Sequence, residues 1–183
     1  MRKFFAAIWD TIEVAAIALV VVLIIRTFLF QPFIVEGSSM YPNFKNGDYL
    51  IIDELTYRMR EPARGEVIVF HPPRAQSDYY IKRIIGLPNE RIVIKDGEIR
   101  IYNNSHPNGL LLNELYLLDA KTPGDVDIKL GNNEYFVLGD NRYASYDSRA
   151  WGVLYRDKIV GIVRLRVWPF NSVKAFSTVQ YQY

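Results

Sequence analysis

Ile92-Val93-Ile94-Lys95-Asp96-Gly97-Glu98-Ile99-Arg100-Ile101 is the run that decides the fold class of this chain. Two short stretches rich in β-branched residues are joined by Asp96-Gly97, a pair able to take the positive φ angles of a type I′ turn, so the run reads as a β-hairpin. The same texture recurs on both sides of it. Tyr49 to Ile52, Glu66 to Phe70, Tyr79 to Ile85, Arg91 to Ile94, Ile99 to Tyr102, Tyr135 to Leu138 and Ile159 to Trp168 are short, β-branched or aromatic, and punctuated by Gly, Pro, Asn and Asp. No long amphipathic helix competes with them. The expectation is one mostly β domain over residues 31–183, with Asn103 to Asn133 as its least regular part. Within that part the apolar patch Leu110 to Leu118 predicts a short helix or strand.

Before Phe33 the pattern is different. After Arg2 and Lys3 comes an apolar run from Ile12 to Phe30, broken only by Glu13, Arg26 and Thr27. Such a run can cross the ~30 Å hydrocarbon core as a helix, with Glu13 near one interface and Arg26 snorkelling to the other. A cleaved secretory signal peptide would share the charged start and apolar centre. However, Arg26-Thr27-Phe28-Leu29-Phe30-Gln31-Pro32-Phe33 is bulky and aromatic where a cleavage site needs small residues. The reading is therefore an uncleaved transmembrane anchor over 11–30, preceded by a cytoplasmic N-terminus over 1–10 that Arg2 and Lys3 favour. Everything after Phe30 then lies outside the membrane.

Half of the residues are hydrophobic, and 22 Lys and Arg stand against 20 Asp and Glu, scattered rather than gathered on one face. Nucleic acid is thus a poor candidate partner. The absence of cysteine excludes a thiol nucleophile, a disulfide framework and thiolate-bound metal together. The two histidines, His71 in His71-Pro72-Pro73 and His106 in Ser105-His106-Pro107, sit beside prolines in expected loops and lack metal-ligand spacing. Neither a metal site nor a histidine triad is expected from them.

Glu36-Gly37-Ser38-Ser39-Met40-Tyr41-Pro42, a turn just past the apolar run, offers two serines. A serine hydroxyl is a weak nucleophile at neutral pH and needs a base to take its proton. With histidine and cysteine set aside, that base is a lysine, and it works only if burial lowers its pKa. Lys45, Lys95, Lys121 and Lys129 lie in polar, turn-like surroundings. Lys82, in Tyr79-Tyr80-Ile81-Lys82-Arg83-Ile84-Ile85-Gly86, shares a strand face with Tyr80 and Ile84, while Arg83 points the other way. The plain alternative is a solvated Lys-Arg pair on an ordinary strand. A third segment, Gly139-Asp140-Asn141-Arg142-Tyr143-Ala144-Ser145-Tyr146-Asp147-Ser148-Arg149, is either a surface loop or a fixed polar scaffold whose charges pair internally.

Gly37-Ser38-Ser39-Met40-Tyr41-Pro42, then Gly47-Asp48-Tyr49-Leu50-Ile51, then Tyr80 to Pro88, then Gly139-Asp140-Asn141-Arg142 with Ser145-Tyr146-Asp147-Ser148-Arg149, resemble in order and spacing the motif boxes of bacterial type I signal peptidases. With the apolar anchor, the resemblance spans nearly the whole chain. It implies a signal-peptidase-like β domain of short, strongly bent sheets, acting as a serine endopeptidase through a Ser/Lys dyad, without cofactor or metal. Ser39 is then the nucleophile, Lys82 the general base and Ser38 a bystander. Ser145 resembles the residue that orients the lysine, and Asp140, Asp147, Arg149 and Arg83 resemble the charged scaffold. The Ser39 backbone N–H would serve the oxyanion hole. Some members add a serine hydroxyl two residues before the nucleophile, where this chain has Gly37. Asn89-Glu90 stands where the family often has Gly-Asp; Asn tolerates positive φ and Glu keeps the acid.

The implied substrates are exported preproteins, cut after a signal peptide with small residues at the first and third positions before the bond. Val35, Met40, Tyr80 and Ile81 align with the wall of the apolar pocket. A substrate strand beside the Lys82 strand would gain affinity through its backbone and selectivity through crowded pockets. The anchor would hold Ser39 near the bilayer and near the secretion translocon. Phe28, Phe30 and Phe33 could seat the domain at the interface, whereas core packing is the first expectation for Trp168 and Phe170. Two rivals are weaker. Self-cleaving Ser/Lys repressors carry a DNA-binding domain where this chain has an apolar run, and an inactive relative that only binds exported chains would be expected to lose Ser39 or Lys82.

Overall fold

The computed structural model describes residues 9–20, 30–73, 77–119, 121–179 and 181. Residues 9–20 form helix α1, and all of them are exposed. Its Ile12, Val14, Ile17, Leu19 and Val20 are each more than half accessible. No helix among the described residues is long and apolar enough to cross a membrane. The remainder of the expected span, residues 21–29 with Arg26 and Phe28, lies outside the described residues, as do Arg2 and Lys3. Phe30, expected as the last residue of the span, pairs with Asp53 and opens the first strand.

That strand, β1, is Phe30–Ile34; β2 (Tyr49–Asp53), α2 (Thr56–Met59), β3 (Val67–Phe70), β4 (Tyr80–Gly86), β5 (Arg91–Lys95) and β6 (Glu98–Asn103) follow. The second half holds β7 (His106–Leu111), β8 (Val126–Lys129), β9 (Glu134–Leu138), α3 (Ser148–Trp151), β10 (Leu154–Tyr155), β11 (Ile159–Trp168) and β12 (Lys174–Ala175). The mostly β expectation holds, and every strand run read from the sequence is a strand with limits moved by a residue or two. Asp96 and Gly97, at φ 53° and 83°, make the β5–β6 turn. They set Lys95 opposite Glu98.

The stretch from Asn103 to Asn133 is more regular than expected. It supplies β7 and β8, the two outer strands of a four-stranded sheet ordered β7-β6-β5-β8. His106 stands in β7 opposite Asn103 rather than in a loop. β7 hid because His106-Pro107-Asn108-Gly109 is polar and turn-like, and β8 because Val126-Asp127-Ile128-Lys129, although it alternates, is only four residues long. Gly109, at φ 86°, also interrupts β7, and the Tyr102 ring packs where a Cβ would stand.

The larger sheet runs β1-β2-β11-β3-β4-β9-β10, with β12 on β11. Register shifts in β11 against β2 and β3, and between β4 and β9, bend it. The bend brings β1 round to face the start of β4, so that Phe33 and Tyr79 touch. Two edges stay open at this mouth. β1 is paired only through β2, and β9 joins β4 only from Arg83 onward, leaving Tyr80 to Lys82 unpaired on that side.

Between the two sheets, Ile85, Ile92, Ile94, Ile99, Ile101 and Phe136 form one core cluster. A second cluster, including Val35, Met40, Phe44, Leu50 and Val69, lies beneath the serine-bearing turn. Trp168 and Phe170 are not core, contrary to first expectation. They stack edge to face at 4.6 Å and are 46% and 78% exposed. The reason is local: Trp168 is the last residue of β11, paired with Tyr49 at the end of the sheet, and the chain leaves the sheet at Pro169, so Phe170 lies beyond the paired residues.

Candidate active site

The turn that carries the serines is fixed from both ends. Val35 N–H donates to Asp48 O and Gly47 N–H to Val35 O, at 2.9 and 2.8 Å. Gly37 then takes φ 86° and donates to Asn46 Oδ1 at 2.9 Å. A residue with a Cβ would be strained at this φ, although no neighbouring atom would crowd it. A helical turn follows, with Tyr41 N–H on Ser38 O and Phe44 N–H on Met40 O. It tucks Met40 and Phe44 into the core, leaves Ser38 exposed and sets Ser39 half-buried at the lip.

Lys82 Nζ donates to Ser39 Oγ at 2.8 Å and to Ile81 O at 2.9 Å. It also lies 5.5 Å from the centre of the Tyr80 ring. Only 4% of Lys82 is exposed, so the solvated pair is ruled out. Burial pushes its pKa down to about 8, against the opposing pull of the Asp147 and Asp140 charges. Desolvation wins because the ammonium has no carboxylate in contact with it.

Arg83, the next residue, faces the other side of β4. Its Nε and Nη2 donate to Asp140 Oδ1 and Oδ2 at 2.8 and 2.6 Å. Its Nη1 reaches Gly65 O at 2.8 Å, and its guanidinium lies 4.1 Å from the Tyr116 ring centre. Arg149 grips Asp147 in the same forked way, with both bonds at 2.8 Å. Asp147 also caps α3 and accepts from Gly139 N–H at 3.1 Å. Asp140, Asp147, Arg83 and Arg149 thus form two closed ion pairs, and both carboxylates are buried.

Ser145 comes to the site without the bond to Lys82 that the resemblance implies. Its Oγ is buried beside Gly139 and has no hydrogen-bond partner. Val35, Tyr80 and Ile81 line a cavity of about 570 Å³ together with Ser39 and Lys82. Met40 does not reach that wall, because the helical turn holds it in the core at 1% exposure. Asn89, at φ 67°, takes the expected left-handed conformation. Glu90 accepts from Leu87 N–H, Arg64 and Asn103 at 2.8, 2.5 and 2.8 Å.

Three contributors escaped the sequence reading. Asn141 N–H donates to Ser39 O at 2.9 Å and its Nδ2 to Ser38 O at 3.2 Å, tying the polar loop to the serine turn. Asn43 Nδ2 donates to Asp140 Oδ2 and Tyr116 O at 2.9 and 3.0 Å. Glu114 pairs with Arg142 in full burial. Of these, Asn141 stood within the polar loop already singled out, and Glu114 left a signal as the lone acid inside the apolar patch Leu110 to Leu118.

The profile of the family described as "Signal peptidase, peptidase S26" matches residues 8–168. The "Probable signal peptidase I-2" of Synechocystis sp. is 38% identical over 161 residues, covering 85% of this chain and 71% of that protein. The "Signal peptidase I" of Bacillus caldolyticus is 36% identical over 170 residues, covering 85% and 89%. "Signal peptidase I T" of Bacillus subtilis is 36% identical over 169 residues, covering 86% and 84%. With a hydroxyl and a buried amine in contact beside an apolar groove, these likenesses make the protein a peptidase. More narrowly, the chain belongs to the signal peptidase family, peptidase S26.

Proposed function

We propose that the protein is a membrane-anchored serine endopeptidase that removes signal peptides from exported preproteins, using Ser39 and Lys82. The observation that carries this reading is the 2.8 Å contact between Lys82 Nζ and Ser39 Oγ, with the lysine buried. Neutral Lys82 takes the proton of Ser39 as Oγ attacks the scissile carbonyl carbon. The Ser39 backbone N–H stabilises the oxyanion. As the intermediate collapses, the ammonium gives its proton to the leaving amine and an ester on Ser39 remains. Water, deprotonated by Lys82, then attacks that ester, and as the acyl C–Oγ bond breaks the ammonium returns the proton to Ser39 Oγ, freeing the acid and restoring neutral Lys82. Ser145 Oγ, buried and unpartnered beside the site, is the group left to hold the amine between these transfers.

The open edges of β1 and of Tyr80 to Lys82 support binding of the substrate as an added strand between them. Val35, Tyr80 and Ile81 then crowd the side chains next to the bond and favour small ones at the first and third positions. The exposure of the apolar side chains Ile12, Val14, Ile17, Leu19 and Val20 of α1 supports an anchor in the bilayer. The catalytic domain would stand on the outer face of the cytoplasmic membrane, close to the translocon, with Trp168 and Phe170 placed to meet the interface.

The test is cleavage of a preprotein with Ala at both small positions. Wild type should cut it, Ser39→Ala and Lys82→Ala should not, and Ser38→Ala should keep most of the activity. An active Ser39→Ala protein would sink the assignment.

A further inference from the structure

The segment between β7 and β8 reaches back to the loop that carries Ser145. Its two ends are fixed on the β5–β6 hairpin, with Leu112 N–H on Ile99 O and Thr122 N–H on Gly97 O, both at 2.9 Å. Leu115 and Leu118 between them are 75% and 78% exposed, so apolar packing of these side chains does not set its course. Polar contacts on the inner side do. Tyr116 O accepts from Asn43 Nδ2 at 3.0 Å, the Tyr116 ring centre lies 4.1 Å from the Arg83 guanidinium, and Pro123 O accepts from Arg149 Nη1 at 3.1 Å.

Glu114 supplies the strongest grip. It is 2% exposed, and its two carboxylate oxygens take both forks of Arg142, itself 3% exposed. Arg142 uses all five of its N–H donors here. Nη1 serves Glu114 and Thr122 Oγ1, Nη2 serves Glu114 and the Tyr116 hydroxyl, and Nε donates to Gly139 O at 3.0 Å. Arg142 thus bolts the segment to the loop. Gly139 is where that last bond matters, because its Cα packs so closely on Ser145 Oγ and Ser39 O that a Cβ would overlap both.

We propose that Glu114 is a positioning residue for Ser39 and Lys82, acting through Arg142 and the Gly139 carbonyl to hold the Ser145 loop against the serine turn. The inference rests on the Ser/Lys reading above. Without the Glu114 carboxylate the Arg142 guanidinium is a buried cation that has lost its ion-pair partner, and it turns from Gly139 O toward other acceptors. The Gly139 peptide then loses its tether, and Ser145 and the Ser39 carbonyl move with it. The groove walls at Val35, Tyr80 and Ile81 belong to β4 and to the chain leaving β1. They keep their places, so the loss falls on the chemical step and not on peptide binding.

The experiment measures kcat and KM separately on a soluble peptide with Ala at the first and third positions before the bond, together with the urea denaturation midpoint. The full chain in detergent micelles is used as wild type, Glu114→Gln, Glu114→Asp and the double variant Glu114→Met/Arg142→Met, with Ser39→Ala as the blank. Assays are run where circular dichroism shows each variant folded. Glu114→Gln should lower kcat about tenfold or more, since a misplacement of about 1 Å costs about a hundredfold. KM should stay within about twofold of wild type. Glu114→Asp, which keeps the charge, should fall between the two. The double variant removes both charges and fills the space, so its midpoint should recover relative to Glu114→Gln. Its kcat should stay low, because Gly139 O has no tether. If Glu114→Gln does not fold, the double variant decides alone. A role confined to holding the fold would return kcat together with the midpoint, and that outcome overturns the proposal. So does a wild-type kcat in Glu114→Gln, a loss carried by KM alone, or failure of all three variants to fold. In each of those cases cleavage by wild type, with none by Ser39→Ala, leaves the Ser/Lys reading standing. A wild type that leaves the peptide uncut, or an active Ser39→Ala protein, removes both.

Discussion

Lys82 Nζ lies 2.8 Å from Ser39 Oγ, although the two residues are 43 positions apart. Lys82 is held by a central strand, Ser39 by a turn pinned to the core through Met40 and Phe44. In the proposed mechanism only the neutral amine accepts the serine proton. With its pKa pushed down to about 8 by burial, activity should rise with pH and level off above that value. Initial rates on a soluble peptide across about pH 6 to 10 check this, and a flat profile contradicts the role of Lys82.

The charges on Asp147 and Asp140 favour the ammonium and so work against the base. Removing one of them should lower the pKa of Lys82 further. In Asp147→Asn the acid limb of the same profile is expected to move to lower pH, because less alkali is then needed to free the amine. A limb shifted upward would mean that the loss of packing around Arg149 outweighs the electrostatics.

Burying Lys82 also carries a stability consequence whose sign can be worked out. The folded pKa of about 8 lies below the ordinary 10.5, so between these values the unfolded chain binds more protons than the folded one. Stability should therefore rise with pH through that window and be lowest, as far as Lys82 is concerned, below pH 8. The penalty at neutral pH is on the order of 3 kcal/mol, less whatever the two hydrogen bonds of Nζ return. Lys82→Met should be stabilised relative to wild type at pH 7, and that advantage should shrink as pH rises from about 8 to about 10.5 and become constant above it. Denaturant titrations of both proteins at several pH values test it, since titrations common to the two cancel in the difference.

Two ion pairs of similar length separate burial from contact. Arg83–Asp140, at 2.6 Å, is almost wholly buried, whereas Arg91–Asp127, at 2.5 Å, is exposed on both sides. Asp140→Ala leaves an uncompensated guanidinium in the interior and should cost about 3–5 kcal/mol. Adding Arg83→Met should recover part of that. Asp127→Ala should leave the denaturation midpoint unchanged within error.

Features carried by neighbouring residues were the legible ones. Alternation and turn chemistry were enough for the Asp96-Gly97 hairpin and for Lys82 and Arg83 on opposite faces of one strand. The polar loop from Gly139 to Arg149 read as internally paired because its partners are partly within it. Asn43, Tyr116 and Glu114 did not read, since their role depends on residues 97, 33 and 28 positions away: Asp140 for Asn43, Arg83 for Tyr116 and Arg142 for Glu114. Nothing local marks an asparagine that will meet a buried carboxylate. β7 and β8 were missed for local reasons: β7 opens on the turn-like His106-Pro107-Asn108-Gly109, and the alternation of β8 lasts only four residues. The motif resemblance pointed to Ser39 over Ser38, and the helical turn gives the physical reason, since it exposes Ser38 and brings Ser39 Oγ to Lys82.

Gly139 shows how tightly the nucleophile, the loop and Ser145 are packed. Its N–H donates to Asp147 Oδ2 at 3.1 Å, its carbonyl accepts from Arg142 Nε at 3.0 Å, and a Cβ on it would overlap Ser145 Oγ and the Ser39 carbonyl. The glycine is required here by close approach, as its φ is not in the left-handed region. Gly139→Ala must push the Ser39 turn and the Ser145 loop apart, at a cost of about 1–3 kcal/mol if the fold survives. The larger effect should be on catalysis, because that displacement acts directly on the 2.8 Å contact between Ser39 and Lys82. We expect kcat to fall by about a hundredfold with KM little changed, since the walls formed by Val35, Tyr80 and Ile81 lie away from the new methyl group. A variant with wild-type kcat would show that the turn and the loop can separate without disturbing the dyad.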